Sequence, residues 1–397
     1  MSMVTAHSAR VSARKRLIDM HSRWFPIVAC LLLGSAAACS NSHSSVPSVA
    51  APNVHFKQMI PLPNLPAGGK FSYDIGTVDP ATHQYYLADR TNSALDIIDT
   101  TSFALHQVSG FTGAKATSDL SGPDGVVSTP GGVYVGDINA VKVVDPVAGT
   151  TSAPITTGSA GFRTDEGCYD PADKLMMFAN PADSPPNTTW ISTTTNTVKA
   201  THAFADSKGL EQCVYDPGTK NFFINNDGTQ ANPHGELDVI SAASVVAGTP
   251  TVSATYTEGA CGPTGMALGP NENLVVGCDA AAGSPQITLI VSATNGSIVK
   301  TITSVGGSDE VAYDSKLNRY YTASRNWTAN GTSQTGVKGA KFTPVLGIID
   351  AGTNTWIANL PTVSDAHSVA VDSNTGNVFV PVAPTATAAG GVMRFGL

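Results

Sequence analysis

Charge is scarce in this chain. Only 13% of its 397 residues are Asp, Glu, Lys or Arg, and only 7% are aromatic. A disordered chain is nevertheless excluded, because 42% of the residues are hydrophobic and can bury a core. No stretch of useful length carries the 3.6-residue apolar period of an amphipathic helix, which excludes a helical fold. The one long apolar run, Trp24 to Ala38, is too short for a comfortable membrane span. Several catalytic signatures are missing: there is no G-x-S-x-G elbow, no H-E-x-x-H, no Walker loop and no C-x-x-C. Lys+Arg number 22 against 30 Asp+Glu. That balance removes the electrostatic basis for nucleic-acid binding. Cations or basic partners are the charges such a chain attracts. Glycine and proline, in contrast, are plentiful at 38 and 25.

The N-terminus reads as an address. Arg10, Arg14, Lys15, Arg16 and Arg23 form a basic region ahead of the apolar run, the pattern of a secretory signal. The run ends in Ala36-Ala37-Ala38-Cys39, which resembles a bacterial lipobox, where the Cys becomes the acylated first residue. Ordinary cleavage after Ala38 is the alternative. Residues 39–53 are rich in Ser, Ala, Asn and Pro and read as a flexible tether. The expected organisation is a signal peptide over 1–38, a tether over 39–53 and a folded body over 54–397. The expected location is the bacterial cell envelope, with the membrane touched through the lipid on Cys39 alone. Removing residues 1–38 takes away five basic residues and one acid, so the net charge moves from −8 to −12.

A repeat emerges once the turns are aligned. Apolar strands begin at Gln84, Val133, Leu175, Phe222, Leu274, Arg319 and Val378, each after a tight turn such as Asp79-Pro80, Asp170-Pro171, Asp216-Pro217 or Asp314-Ser315. Pro presets φ in such turns, and Asp can accept from its own backbone two residues on. Third strands end in Asp99, Asp145 and Asp350. Seven units of about 40–57 residues match the propeller period. One four-stranded sheet cannot bury both faces, so the blades must stack in a ring. The last unit offers three strands, and Val54–Leu62 supplies the fourth, which closes the ring and removes an open edge. The fold class is therefore all-β: a seven-bladed β-propeller closed by an N-terminal strand that joins the C-terminal blade. A monomer is expected.

Some of these residues carry a resemblance. The string from Tyr86 to Asn92 followed by Leu95-Asp96-Ile97-Ile98-Asp99 resembles the YVTN repeat of bacterial surface-layer and periplasmic seven-bladed propellers. Gly122-Pro123-Asp124-Gly125-Val126 and Gly262-Pro263-Thr264-Gly265-Met266 are similar to NHL and gluconolactonase/regucalcin-type blades. The resemblance covers about residues 54–397. It implies the propeller architecture and leaves the chemistry open, because such propellers include lactonases, lyases and non-enzymatic scaffolds.

The loops after the second strands are long and varied, with Arg325–Pro344 the longest, so one rim is the candidate functional face. Counting back five from each turn residue aligns the innermost strands at Asp74, Asp124, Asp165, Glu211, Thr264, Asp309 and His367. Carboxyls that converge on a channel mouth repel unless protonated, hydrated or metal-bound. Asp124, Glu211 and Asp309 are the candidate ligands for Ca²⁺ or Mg²⁺, since hard cations take oxygen donors. A merely wet, polar channel is the alternative. Glu166 and Glu310 lie one residue further on, where strand alternation points them away from the ring, and a one-residue shift of register would exchange those roles. His367 is either a ligand or proton-transfer group or a channel histidine bonded to a carbonyl. Arg90 and Arg325 end two second strands at the same rim, where they clamp a carboxylate or bond loop carbonyls. Asn226, in the run Asn225-Asn226-Asp227, is a further rim candidate, although Asn-Asp-Gly is also a good turn. Cys261 and Cys278 come to one rim from adjacent antiparallel strands, so a disulfide is expected in an oxidising compartment. Cys168 and Cys213 lie at similar depths on neighbouring blades, and their pairing is left open.

Two functions are consistent with this pattern. One is an envelope scaffold that binds an unknown small molecule or envelope protein through the loop-rich rim. The other is a lactonase-like, metal-dependent hydrolase with its site at the channel mouth.

Overall fold

The computed structural model describes residues 53–397, apart from 159–160, 280–284, 331, 333 and 335–336. The expected signal peptide, the Cys39 lipobox and nearly all of the tether lie outside these described residues. Among the described residues the strands assemble into seven antiparallel sheets, and helix is confined to Ala242–Val246 and two short 3-10 turns. Within the first six blades the sheet order follows the chain order. In the first blade, for example, Tyr73–Asp79 is innermost, followed by Gln84–Asp89, Ala94–Asp99 and Leu105–Ser109. The outer edge of the second blade is split into Thr150–Thr151 and Ile155–Thr156. The chain is a seven-bladed β-propeller.

The repeated turns explain the repeated blades. Asp79, Asp170, Asp216, Asp314 and Asp372 each accept from the backbone N–H two residues on, at 2.8–2.9 Å. Each turn then passes through a left-handed residue four positions after its Asp: His83, Lys174, Lys220, Asn318 and Gly376. Short polar or glycine residues are the usual occupants of that conformation. The turn thus sets the strand register that follows it.

The ring closes as the sequence requires. His55–Pro61 pairs antiparallel with Gly391–Gly396, the last strand, so both ends of the folded body share one sheet. The core lies between blades, not within them. Seven apolar clusters each unite two neighbouring sheets. The cluster at the closure packs Ile60, Leu62, Phe379 and Val392 against Tyr85 and Leu87 of the first blade. Polar contacts reinforce this seam: Tyr73 donates to the Pro381 carbonyl at 2.9 Å, and Asn377 Nδ2 to the Thr100 carbonyl at 3.0 Å. The two disulfides are both formed. Cys168–Cys213 links the innermost strands of the third and fourth blades, and Cys261–Cys278 ties the segment just before Pro263–Leu268 to the end of Asn273–Cys278 in the fifth.

One feature of the innermost strands departs from simple alternation. Asp165 N–H donates to the Ala179 carbonyl at 2.8 Å, while Ala179 N–H donates to the Glu166 carbonyl at 2.9 Å. Two residues therefore oppose one, as in a β-bulge. The same pattern recurs at Asp124-Gly125 opposite Gly136 and at Asp309-Glu310 opposite Ala323. Register shifts mark the corresponding places in the first, fourth and fifth blades. As a result, two consecutive residues of a bulged innermost strand can face the channel, although the second is Gly125 in the second blade and Gly265 in the fifth. The aligned ring forms the mouth, and Glu166, Gln212 and Glu310 form a second tier.

Candidate functional site at the channel mouth

The first part of the mouth is an ionic cluster. Arg90, at the end of Gln84–Asp89, is buried and directs Nη2 to Asp74 Oδ2 at 2.7 Å and Nε to Asp124 Oδ1 at 2.9 Å. Arg163 meets Asp165 at 2.8 Å, Asp119 at 3.5 Å and Asp74 at 3.8 Å. Carboxyl oxygens of Asp74, Asp124 and Asp165 lie within 4.8 Å of one another. Three buried acids here face two guanidinium groups. Burial works against the charge of Asp74, but Arg90 and Arg163 outweigh it and hold this carboxyl below its ordinary value. Burial pushes Asp165 up to about 7 against the pull of Arg163, and keeps Asp124 well above the ordinary range despite Arg90. The two guanidinium groups offset most of the charge of this cluster, although Asp124 Oδ2 is left without a hydrogen-bond partner in the protein. A divalent ion could enter it only by expelling a buried guanidinium group.

The second part is less balanced. Two cavities of about 300 and 380 Å³ adjoin at the mouth and share Glu211, Asp309 and Arg325. The smaller also reaches Asp74, Asp165, Glu166 and His367; the larger reaches Asp227, His234 and Thr264. Arg325 Nη1 binds Asp309 at 3.0 Å. Burial, then the charges of Asp227 and Asp309, raise Glu211 well above the ordinary carboxylate range. Burial likewise lifts Asp227 to about 6. Carboxyls raised in this way are the mark of uncompensated negative charge in a partly dehydrated space.

Most of the expected site residues meet here. Asp74, Asp165, Glu211, Asp309 and His367 line the cavities with Arg90 and Arg325. Asp124 is fully buried, is claimed by Arg90 and lines neither cavity, so it stands apart from Glu211 and Asp309. His367 stacks on Tyr73 with ring centroids 4.2 Å apart, and its Nδ1 lies 2.9 Å from the Asp365 carbonyl. Its Nε2 is 3.9 Å from Asp74. Asn226 is buried, donates to Asp238 at 3.0 Å and accepts from Ser207 at 2.9 Å; it holds a loop in place and does not face the cavity. Neither arginine bonds loop carbonyls as its main role: each clamps a carboxylate of the protein itself. Sequence reasoning passed over Arg163, whose only local signal was its place two residues before Asp165. It also set Glu166 and Glu310 facing away, whereas the bulge turns both toward the channel. Glu166 lines the smaller mouth cavity, and Glu310 lines a third cavity of about 200 Å³ together with Gln212.

Comparison with known proteins identifies the shape. No family model matches the chain, and no curated protein matches it. A chain in the crystal structure of the mitotic checkpoint complex is similar over 92% of this chain and 99% of its own length, with a TM-score of 0.61 at 11% identity. The structure of U3-55K is similar over 86% of this chain and 98% of its own, also at 0.61 and 11%. These neighbours are WD40-like propellers. At such identity the likeness speaks for the fold alone. It supports the propeller architecture implied by the YVTN and NHL resemblance and does not single out either family.

Proposed function

We propose that this chain is a bacterial cell-envelope lipoprotein whose propeller binds a positively charged ligand, or the basic surface of a partner protein, at the loop-rich mouth of its central channel. A propeller scaffold fits an interaction role in general. The observation that carries the reading is the pair of adjoining cavities whose shared wall sets two carboxyl groups, Glu211 and Asp309, against the single guanidinium group of Arg325. Buried carboxyls gain most from an incoming cation, because the surrounding dielectric is low. The pattern Ala36-Ala37-Ala38-Cys39 supports the lipid anchor and the envelope location. The test is an equilibrium titration of the full chain with deca-lysine and, as a control, deca-glutamate. Saturable binding of the first alone, lost in Glu211→Gln/Asp309→Asn, supports the reading. Equal indifference to both peptides overturns the basic-partner form of it.

A second reading draws on the same carboxyls: a lactone or ester hydrolase dependent on Ca²⁺ or Mg²⁺. Glu211 and Asp309 would hold the ion, which supplies carbonyl polarisation and a more acidic bound water. Asp227, lifted to about 6 by burial, is suited to take a proton near neutral pH. Asp124 would not join them, since Arg90 occupies it. Metal analysis of the purified chain tests this reading, and a metal-free protein indifferent to chelator removes it.

A further inference from the structure

Three long polar side chains of the second tier meet across the channel. Two blades cannot contribute one: a Cβ at Gly125 would collide with the Asp165 carbonyl oxygen, and a Cβ at Gly265 with that of Asp309. Glu166 of the third blade, Gln212 of the fourth and Glu310 of the sixth make the crossing. The carboxyls of Glu166 and Glu310 hydrogen-bond to one another. Gln212 Nε2 donates to Glu310 Oε2 at 2.9 Å, and Gln212 Oε1 accepts from the Met266 N–H of the fifth blade. The Glu310 main chain is fixed as well, its N–H donating to the His367 carbonyl at 2.9 Å. One run of bonds thus laces four blades together across the channel.

This bridge lies between two cavities that share no residue. Glu211 and Asp309 line the smaller mouth cavity, whereas Gln212 and Glu310, the next residues along, line the cavity of about 200 Å³. Glu166 faces the mouth side. Two carboxylates offer acceptors alone, so the bond between Glu166 and Glu310 exists only while one of them carries a proton. No cation stands in for that proton. The charged groups facing Glu166 are Glu310, Glu211 and Asp165; those facing Glu310 are Glu166, Asp309, Asp74 and Asp165. The guanidinium groups of the mouth are spent elsewhere, Arg90 on Asp74 and Asp124, Arg163 on Asp165 and Arg325 on Asp309. His367 Nδ1 is held at the Asp365 carbonyl. Burial, then the Glu310 charge, raises Glu166 well above the ordinary carboxyl range, and burial raises Glu310 likewise.

We propose that the Glu166–Glu310–Gln212 bridge is a proton-held latch, which closes the channel while the two glutamates share a proton and lets the two cavities join when that proton is lost. The side chains of both glutamates are buried, at 6% and 2% exposure, so two unscreened like charges would be left in contact. Opening is therefore coupled to the release of one proton to solvent. Its equilibrium constant rises up to about tenfold per pH unit for as long as the closed bridge keeps the proton and the opened carboxyls do not.

The test is amide hydrogen exchange of the full chain at pH 6, 7 and 8, corrected for intrinsic exchange and read by mass spectrometry. In the strands that carry the bridge, Gly167–Asp170, Leu210–Asp216 and Val311–Asp314, the opening constant is expected to rise severalfold or more per pH unit. The outermost strand Leu105–Ser109 is expected to stay flat. Glu166→Gln is expected to flatten the rise, because a carboxamide donates to the Glu310 carboxylate with no borrowed proton. Glu310→Gln tests the same bond from the other side should the first variant fail to fold. The proposal is overturned if the bridge strands of the parent show no rise, if Leu105–Ser109 rises as steeply, or if the rise persists undiminished in a variant that folds.

Discussion

Replacing Arg90 by Met removes the guanidinium group that joins Asp74 to Asp124. The variant keeps the volume and length of the stem but leaves two carboxyls without their main partner. The Arg90 and Asp124 side chains are 6% and 0% exposed, so solvent does little to screen the loss. Breaking a buried pair on one side costs about 3–5 kcal/mol. With an unfolding entropy of about 2.1 cal/mol/K per residue over a body of this size, that corresponds to a drop of about 4–7 °C in Tm. The sign with pH follows from the carboxyls. In the native chain Asp74 lies below its ordinary value, so its contribution is present above that value and fades as pH falls. In the variant both acids are raised, so their folded forms are favoured at low pH and penalised as pH climbs through the raised values. The deficit should therefore be largest near pH 8 and shrink toward pH 5. Differential scanning calorimetry at the two pH values measures it. A variant that melts within 1 °C of the parent at pH 8, or whose deficit ignores pH, would refute the assignment of Arg90 as the keystone of the cluster.

Three further outcomes follow from particular contacts. Deleting residues 54–62 removes the buried Val54, Ile60 and Leu62, at about 2 kcal/mol each, and exposes the edge of Gly391–Gly396. That loss approaches the whole stability of an ordinary protein, so the truncated chain should aggregate or lose its cooperative melt, and an unchanged melt would contradict ring closure. The Cys261–Cys278 link spans 17 residues, so Cys261→Ser/Cys278→Ser should cost about 3 kcal/mol in denaturant unfolding, and peptide mapping without reduction should recover the linked peptides. Burial pushes Glu258 up to about 8, and neither of its oxygens has a protein partner. Stability should thus fall as pH rises from 7 to 9, and Glu258→Gln should reduce that fall; denaturant midpoints at the two pH values decide the matter.

The fold was legible because its signals are local and repeated. Asp170-Pro171 and its counterparts announce a turn by backbone chemistry alone, and counting from such turns was enough to bring Asp74, Asp165, Glu211, Asp309 and His367 to one mouth. The closure was legible from arithmetic: three strands at one end of the chain and one at the other. The site was read less well, for two physical reasons. Alternation holds for a regular strand, but the bulge opposite Ala179 sets Asp165 and Glu166 on the same channel, and bulges leave no clear mark in sequence. Ion pairing depends on the approach of separate blades. Nothing near Arg90 in the sequence points to Asp124, 34 residues away, as its partner. The same limit hid Arg163 and left Asn226 on the rim when its amide is spent inside a loop.

The central claim is that the mouth carboxyls await positive charge. The most direct measurement is the thermal midpoint of the full chain with and without deca-lysine, Ca²⁺ and Mg²⁺, beside Glu211→Gln/Asp309→Asn. A cation that binds only the folded form stabilises it by about 2.7 kcal/mol at a hundredfold excess over Kd. The account predicts a rise in midpoint with deca-lysine that is blunted in the double variant, which itself melts lower than the parent without cation because Arg325 loses its carboxylate partner. No shift with any of the three cations, together with silent substitutions, would contradict it.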